Sequence, residues 1–189
     1  SINGTGTKTA AGGFPVNGDM TIGTGTTIDA GSFTLTLKGN LSLNGTLLAG
    51  TGTMEFAGTS GQTLSGNALS FSGLTINNPA GLTMAGVDVS VTGTMSLLSG
   101  TMTTGANQVA ITPTGSVSRT SGHVIGNLKK SFAPGNPVRV FEIGDAAAYT
   151  PVTVAFGSVV SAADMVARTT GGDHPAIATS GIKAARSVN

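Results

Sequence analysis

Between Met20 and Val117, apolar side chains alternate with Thr, Ser or Lys in very short runs. In Phe33-Thr-Leu-Thr-Leu-Lys, the residues Phe33, Leu35 and Leu37 fall on one side, and Thr34, Thr36 and Lys38 on the other. Leu41/Leu43, Leu69/Phe71, Leu74/Ile76 and Val87/Val89/Val91 repeat this two-residue period. A period of two places alternate side chains on opposite faces of a strand, and Thr and β-branched residues suit a pleated surface. Gly-Thr pairs interrupt the runs so often that strands of ~3–5 residues are followed by a turn every ~5–8. Sandwiches space their turn signals by ~8–12 residues. The closer spacing predicts a solenoid, with short sides and frequent corners.

An internal match points the same way. Leu41-Ser-Leu-Asn-Gly-Thr-Leu recurs as Val89-Ser-Val-Thr-Gly-Thr-Met, and Gly52-Thr-Met as Gly100-Thr-Met. The common offset of 48 residues reads as two coils of ~24 residues, inside the range of repeat architectures. At ~20–24 residues per coil, positions 20–117 hold about four or five coils. Residues 1–19 carry few large apolar side chains (Ile2, Phe14 and Val16) and are expected to form an extended opening segment. Asn3-Gly4 and Asn17-Gly18 mark turns within it, because Asn and Gly tolerate positive φ.

The texture changes near Pro113. Before Arg119 there are six charged residues and 22 Gly; from Arg119 onward there are eleven and eight. Segments lengthen as well, at His123–Phe132, Pro137–Ile143, Thr150–Phe156 and Met165–Thr170. The expected organisation is an opening segment over 1–19, a short parallel β-solenoid over 20–118, and a small antiparallel β-sandwich-like domain with an irregular tail over 119–189. The fold class is therefore all-β.

Composition narrows the functional classes. Charged residues are 9% of the total, the net charge is +1, and mean hydropathy is +0.25. Such a polypeptide is expected to fold, and its charge gives no reason to expect nucleic acid or an anionic membrane as partner. With no Cys, disulfides, thiolate zinc sites and cysteine nucleophiles are excluded. No apolar run approaches the ~18 residues of a membrane span.

Candidate chemistry is sparse. Lys8-Thr9 ends a near miss to a phosphate-binding loop, with Thr7 where glycine is required. Polysaccharide-cleaving β-helices need clustered carboxylates; here Asp29 and Glu55 are the one pair that neighbouring coils bring to mind. His123 and His174 are far apart with no third ligand in pattern. Asp145, Asp164 and Asp173 are candidate calcium ligands, calcium being bound by oxygens, but no calcium-loop spacing is present, and no other cofactor is expected. Lys129-Lys130, with Arg119 and Arg139, is the only basic cluster, and reads as a solvated strand edge that discourages wrong pairing. Trp is absent and Tyr149 is the single Tyr, so no aromatic platform for a sugar is evident.

Gly122-His-Val-Ile-Gly-Asn-Leu-Lys-Lys, Val140-Phe-Glu-Ile-Gly-Asp and Tyr149-Thr-Pro-Val-Thr-Val together resemble a module that follows Gly/Thr-rich solenoid repeats in large bacterial surface proteins. The solenoid half resembles repeats of secreted adhesins and cell-surface fibre proteins. One departure is Glu142-Ile143, where such modules carry Pro-Val. The resemblance implies an exported structural or adhesive role, with no catalytic residues.

A stack of coils has two ends, each exposing backbone polar groups and a slice of core. With the downstream module capping one end, the upstream residues Ile2, Phe14, Val16, Met20 and Ile22 become the candidate assembly interface. The leading expectation is an extracellular structural subunit that joins copies of itself head to tail, through solenoid ends or strand exchange, with host or biofilm surfaces as further partners. A non-polymerising adhesin or carbohydrate-binding module is the first alternative, and a β-helix polysaccharide-degrading enzyme the second.

Overall fold

The structure is a computed structural model that describes residues 1–170. Among these residues there is no helix, and hence none long and apolar enough to cross a membrane. The polypeptide winds into a parallel β-solenoid of about 7 turns, followed by a small antiparallel sheet.

Each coil has three sides. On the first face, Phe14, Leu35, Met54, Leu74, Met95 and Val117 stack in parallel register. On the second, Met20 stacks on Leu41 and Leu41 on Leu64; beside that row Gln62, Leu82, Met102, Val124 and Ile143 continue it. The third face pairs Lys8 with Ile28 and Leu47, and further along Leu69 with Val89, Val109 and Leu128. The alternation read from sequence is therefore the in/out alternation of the prism walls. Ile22, Leu37, Leu41, Leu43, Phe56, Phe71, Leu74 and Ile76 all point inward and are fully buried. Burial of each stabilises the fold by about 1.5–3 kcal/mol relative to exposure.

Two expectations are corrected by the register. Paired residues lie 19 to 23 positions apart, so coils hold about 20 residues rather than ~24. The 48-residue match is not a coil repeat, because Leu41 lies on the second face and Val89 on the third. What recurs is a local solution, a strand turning at Gly-Thr into another strand, used at different corners. Parallel pairing also overruns both expected limits. Upstream, Ile2 bridges Ile22 and the strand Gly6–Thr9 pairs with Thr26–Asp29, so residues 1–19 form the first coil. Downstream, the strand His123–Phe132 and the short strand Ile143–Gly144 continue the stack past Arg119. The antiparallel part consists of Val138–Phe141 with Val152–Ala155, and of Ala163–Ala167 laid against Leu128–Phe132.

Corners set the turn chemistry. Gly100 sits at a corner between the first and second faces with φ of 74°. A Cβ there would overlap the carbonyl oxygen of Asn78 in the coil below. Gly105 also has positive φ, at 59°, but open space where its Cβ would be. Both substitutions by Ala are strained by the left-handed backbone, costing about 1–2 kcal/mol; only Gly100→Ala adds a clash with the neighbouring backbone. We expect urea unfolding to show a clearly larger loss of stability for Gly100→Ala than for Gly105→Ala.

Candidate assembly surfaces

The two ends of the stack are built differently. At the upstream end, Ile2, Phe14 and Val16 are half-buried and packed on the core. Ile2 and Phe14 line a shallow depression of about 160 Å³ together with Ala10 and Ile28. Met20 and Ile22 do not belong to this surface. They are 3% and 0% exposed, one coil inside, and Ile2 bridges directly onto Ile22. The sequence pattern puts them at the edge only if residues 1–19 form no coil, and they do form one.

Backbone hydrogen bonding decides which edge groups are open. Successive residues of a strand direct their N–H and C=O to opposite sides. On the third face, Gly6 donates to Gly25 O at 3.3 Å and Ala10 to Asp29 O at 2.8 Å. The intervening Thr7 and Thr9 therefore direct their N–H and C=O groups away from the stack. On the first face, Lys38 donates to Val16 O at 2.9 Å, so Val16 faces the second coil. Pro15 then faces outward and has no N–H to offer, which blunts that edge against further pairing.

Among the described residues, the downstream end is closed on two faces and open on one. Ile143–Gly144 covers Val124 and Ile125 on the second face, and Ala163–Ala167 covers Leu128–Phe132 on the third. On the first face, Ser116–Arg119 pairs, among the described residues, only backward, with Thr94–Leu97. Thr120 donates to Leu97 O at 2.9 Å, a phase that leaves the backbone groups of Val117 and Arg119 directed forward. The next strand on this side, Val138–Phe141, pairs, among the described residues, only with Val152–Ala155. Phe156 donates to Pro137 O at 3.1 Å, so Arg139 and Phe141 bond within the hairpin, and Val138 and Val140 direct their groups outward. Between Ser116 and Val117 on one lip and Val138 and Val140 on the other lies an open groove of about 310 Å³. Val138 is 64% exposed beside it.

The groove rests on a buried ion pair. Lys130 Nζ lies 2.6 Å from Glu142 Oε2 and also donates to Val140 O. Lys130 is only 3% exposed, and burial holds its ammonium below the usual lysine pKa. The expectation of a solvated Lys129-Lys130 edge is thus half right. Lys129 faces outward and pairs with Asp164 at 3.0 Å. Lys130 shares the inward phase of Leu128 and Phe132 and stacks on the row of Ile111. That phase is visible in the sequence. Glu142, the departure from the Pro-Val pattern, is the partner that makes an inward Lys tolerable.

Arg139 and Arg119, the other members of the basic cluster, are held by carbonyls and rings. Arg139 donates to Thr112 O and Gly115 O, both at 3.2 Å, and to Pro113 O. Arg119 donates to Gly122 O at 2.6 Å and Ser121 O at 3.0 Å, with its guanidinium 3.6 Å above the Tyr149 ring. His123 Nε2 lies 2.8 Å from Asp145 O.

The carboxylates are also engaged separately. Asp145 Oδ1 accepts from the N–H groups of Ala147 at 2.8 Å and Ala148 at 2.9 Å, bonds that hold its pKa below 3.8. Asp164 accepts from Ser131 Oγ at 2.5 Å and Lys129, with the same effect. Asp173 and His174 lie outside the described residues. No group of three His, Cys, Asp or Glu placed to hold a metal occurs among the described residues. Asp29 accepts from Gly31 N–H at 2.9 Å on the third face, whereas Glu55 on the first accepts from Thr36 at 3.0 Å and Asn77 at 3.1 Å. They do not form a pair. Lys8-Thr9 lies in a strand, not in a loop leading to a helix.

Comparison with protein-family models, with curated proteins and with solved structures found no match.

Removing one partner of a buried ion pair leaves an uncompensated charge and costs about 3–5 kcal/mol, whereas an apolar replacement of both is often neutral. We expect Glu142→Leu to destabilise the protein strongly in urea titrations, and Lys130→Met added to it to restore most of the loss.

The depressed pKa values of Asp145 and Asp164 imply a contribution that is complete above 3.8 and is lost as pH falls through their lower folded values. Acidification below 3.8 should therefore lower the amide protection factors of Ala163–Ala167, rates being taken relative to the unstructured chain at the same pH, and Asp164→Asn should show lower protection already at neutral pH.

Proposed function

We propose that this protein is a structural subunit of an extracellular bacterial surface fibre, joined to copies of itself by a β-strand added at the first-face groove. The observation that carries this reading is the pair of facing strand edges at the groove. Val117 on one lip, and Val138 and the Val140 N–H on the other, direct backbone groups into a gap that no described strand fills. Added strands derive affinity from such backbone bonds. Stacking of intact ends is the less favoured mode, because two downstream faces are covered and Pro15 blunts the upstream first face.

The remaining features fit a passive rod. Polar ladders run along its outside, with Thr36, Glu55, Asn77 and Ser99 linked in series, and Asp19 held by Asn40, which in turn accepts from Thr63 N–H. The resemblance to surface fibre proteins supports an extracellular location.

Val117→Pro is the discriminating variant. The Val117 N–H faces the groove and makes no bond to the preceding coil, so its removal spares the stack. The wild type should form filaments or ladders of oligomers at high concentration by electron microscopy and light scattering, and Val117→Pro should stay monomeric while still folded. Wild-type protein that is monomeric at every concentration would sink the reading. Capture of a glycan by that monomer would then favour the adhesin alternative, and turnover of a polysaccharide the enzyme.

A further inference from the structure

The sequence contains three Asn-Gly dipeptides, Asn3-Gly4, Asn17-Gly18 and Asn44-Gly45. Asn-Gly is chemically labile because glycine has no Cβ to shield its backbone nitrogen. That nitrogen, on losing its proton to water or hydroxide, can attack the Asn Cγ. The Cγ–Nδ2 bond of the amide breaks and ammonia leaves. The resulting five-membered imide is opened by water at either carbonyl, giving Asp or its β-linked isomer. No oxidant or enzyme is needed, but the glycine N–H must be free and the corner must be able to turn.

The fold treats the three dipeptides differently. Gly45 N–H donates to Ile22 O at 3.0 Å, and Asn44 N–H donates to the same oxygen at 2.9 Å. Gly45 is also packed so closely that a Cβ would overlap the carbonyl oxygens of Gly23 and Thr26. Asn44 is thereby locked. The Asn3 amide donates to Ser1 Oγ at 3.0 Å and its Oδ1 packs on Gly23, so its side chain is partly held. Asn17 and Gly18 are both exposed in a bend. Among the described residues the Gly18 N–H makes no backbone bond, and nothing lies within 4 Å of where a Gly18 Cβ would be.

We propose that Asn17 is a site of spontaneous deamidation in the folded protein, and that Asn44 is protected from it. The modification falls at the first corner between the first and second faces. Two residues on, Asp19 Oδ1 accepts from the Asn40 backbone N–H at 2.7 Å and its side-chain amide at 3.0 Å. A new carboxylate at position 17 adds negative charge beside this clamp. The β-linked product also inserts a methylene into the backbone between Phe14–Val16 and Met20–Ile22. Both changes loosen the first coil, in which no residue is buried.

The test is to age the folded protein in mildly alkaline buffer and map the three dipeptides by digestion and mass spectrometry. Asn17 should convert several-fold faster than Asn44, with Asn3 between them, whereas in denatured protein all three should convert at similar rates. Gly18→Ala, which the open space accommodates, should slow conversion at position 17 alone. Aged wild type and Asn17→Asp should both show faster amide exchange in Phe14–Val16, with Leu35 and Leu37 unchanged. Conversion of Asn44 as fast as Asn17 in the folded protein, or an unchanged Asn17, would overturn the proposal.

Discussion

The structure depends on one constraint, that every backbone N–H and C=O of a coil must find its partner in the coil above or below. In a parallel stack these bonds run along the axis, so no coil is complete alone and the whole is a sum of neighbours. Apolar residues fill the prism in rows, such as Leu35, Met54, Leu74 and Met95. The corners contribute by getting out of the way, since at Gly100 even one Cβ would strike the adjacent coil. Such a stack has no natural length. What ends it is whatever satisfies or disables its last row of backbone groups.

The two ends use different devices. Upstream, Pro15 withdraws a donor from the first face, while Thr7 and Thr9 leave the third face open. Downstream, the ladder is closed by a change of direction, because Ala163–Ala167 runs antiparallel along Leu128–Phe132. Among the described residues, the first face escapes that closure. Its last strand and the hairpin after it turn their open edges toward a shared gap, with Lys130 and Glu142 at its base. The first and last of the described coils thus present edges that are not copies of one another, and any contact between them has a polarity.

Much of the solenoid is legible in the sequence because a period of two is a direct imprint of a strand wall, as in Phe33 to Lys38. Coil length is not, since corners of all three kinds reuse Gly-Thr; the match of Leu41 to Val89 joins different corners and inflates the period. The rise in charge at Arg119 resembles a domain boundary. Among the described residues, Arg119 is absorbed by carbonyls and Tyr149, Arg139 by carbonyls and Lys130 by Glu142, and the coils run on beneath them. Residues 1–19 mislead in the opposite sense, because Gly and Thr can form a coil through backbone bonds with almost no core of its own.

A coil held mainly by its ladder, with Ile2, Phe14 and Val16 only half-buried, is the part of the stack with least hydrophobic burial to hold it. Small changes at its corners therefore matter more than equal changes deeper in. The Asp19–Asn40 clamp is one of the few side-chain links between this coil and the next. The corner that carries it also carries Asn17, so the chemistry of an exposed amide and the integrity of the upstream edge are coupled through three residues of backbone.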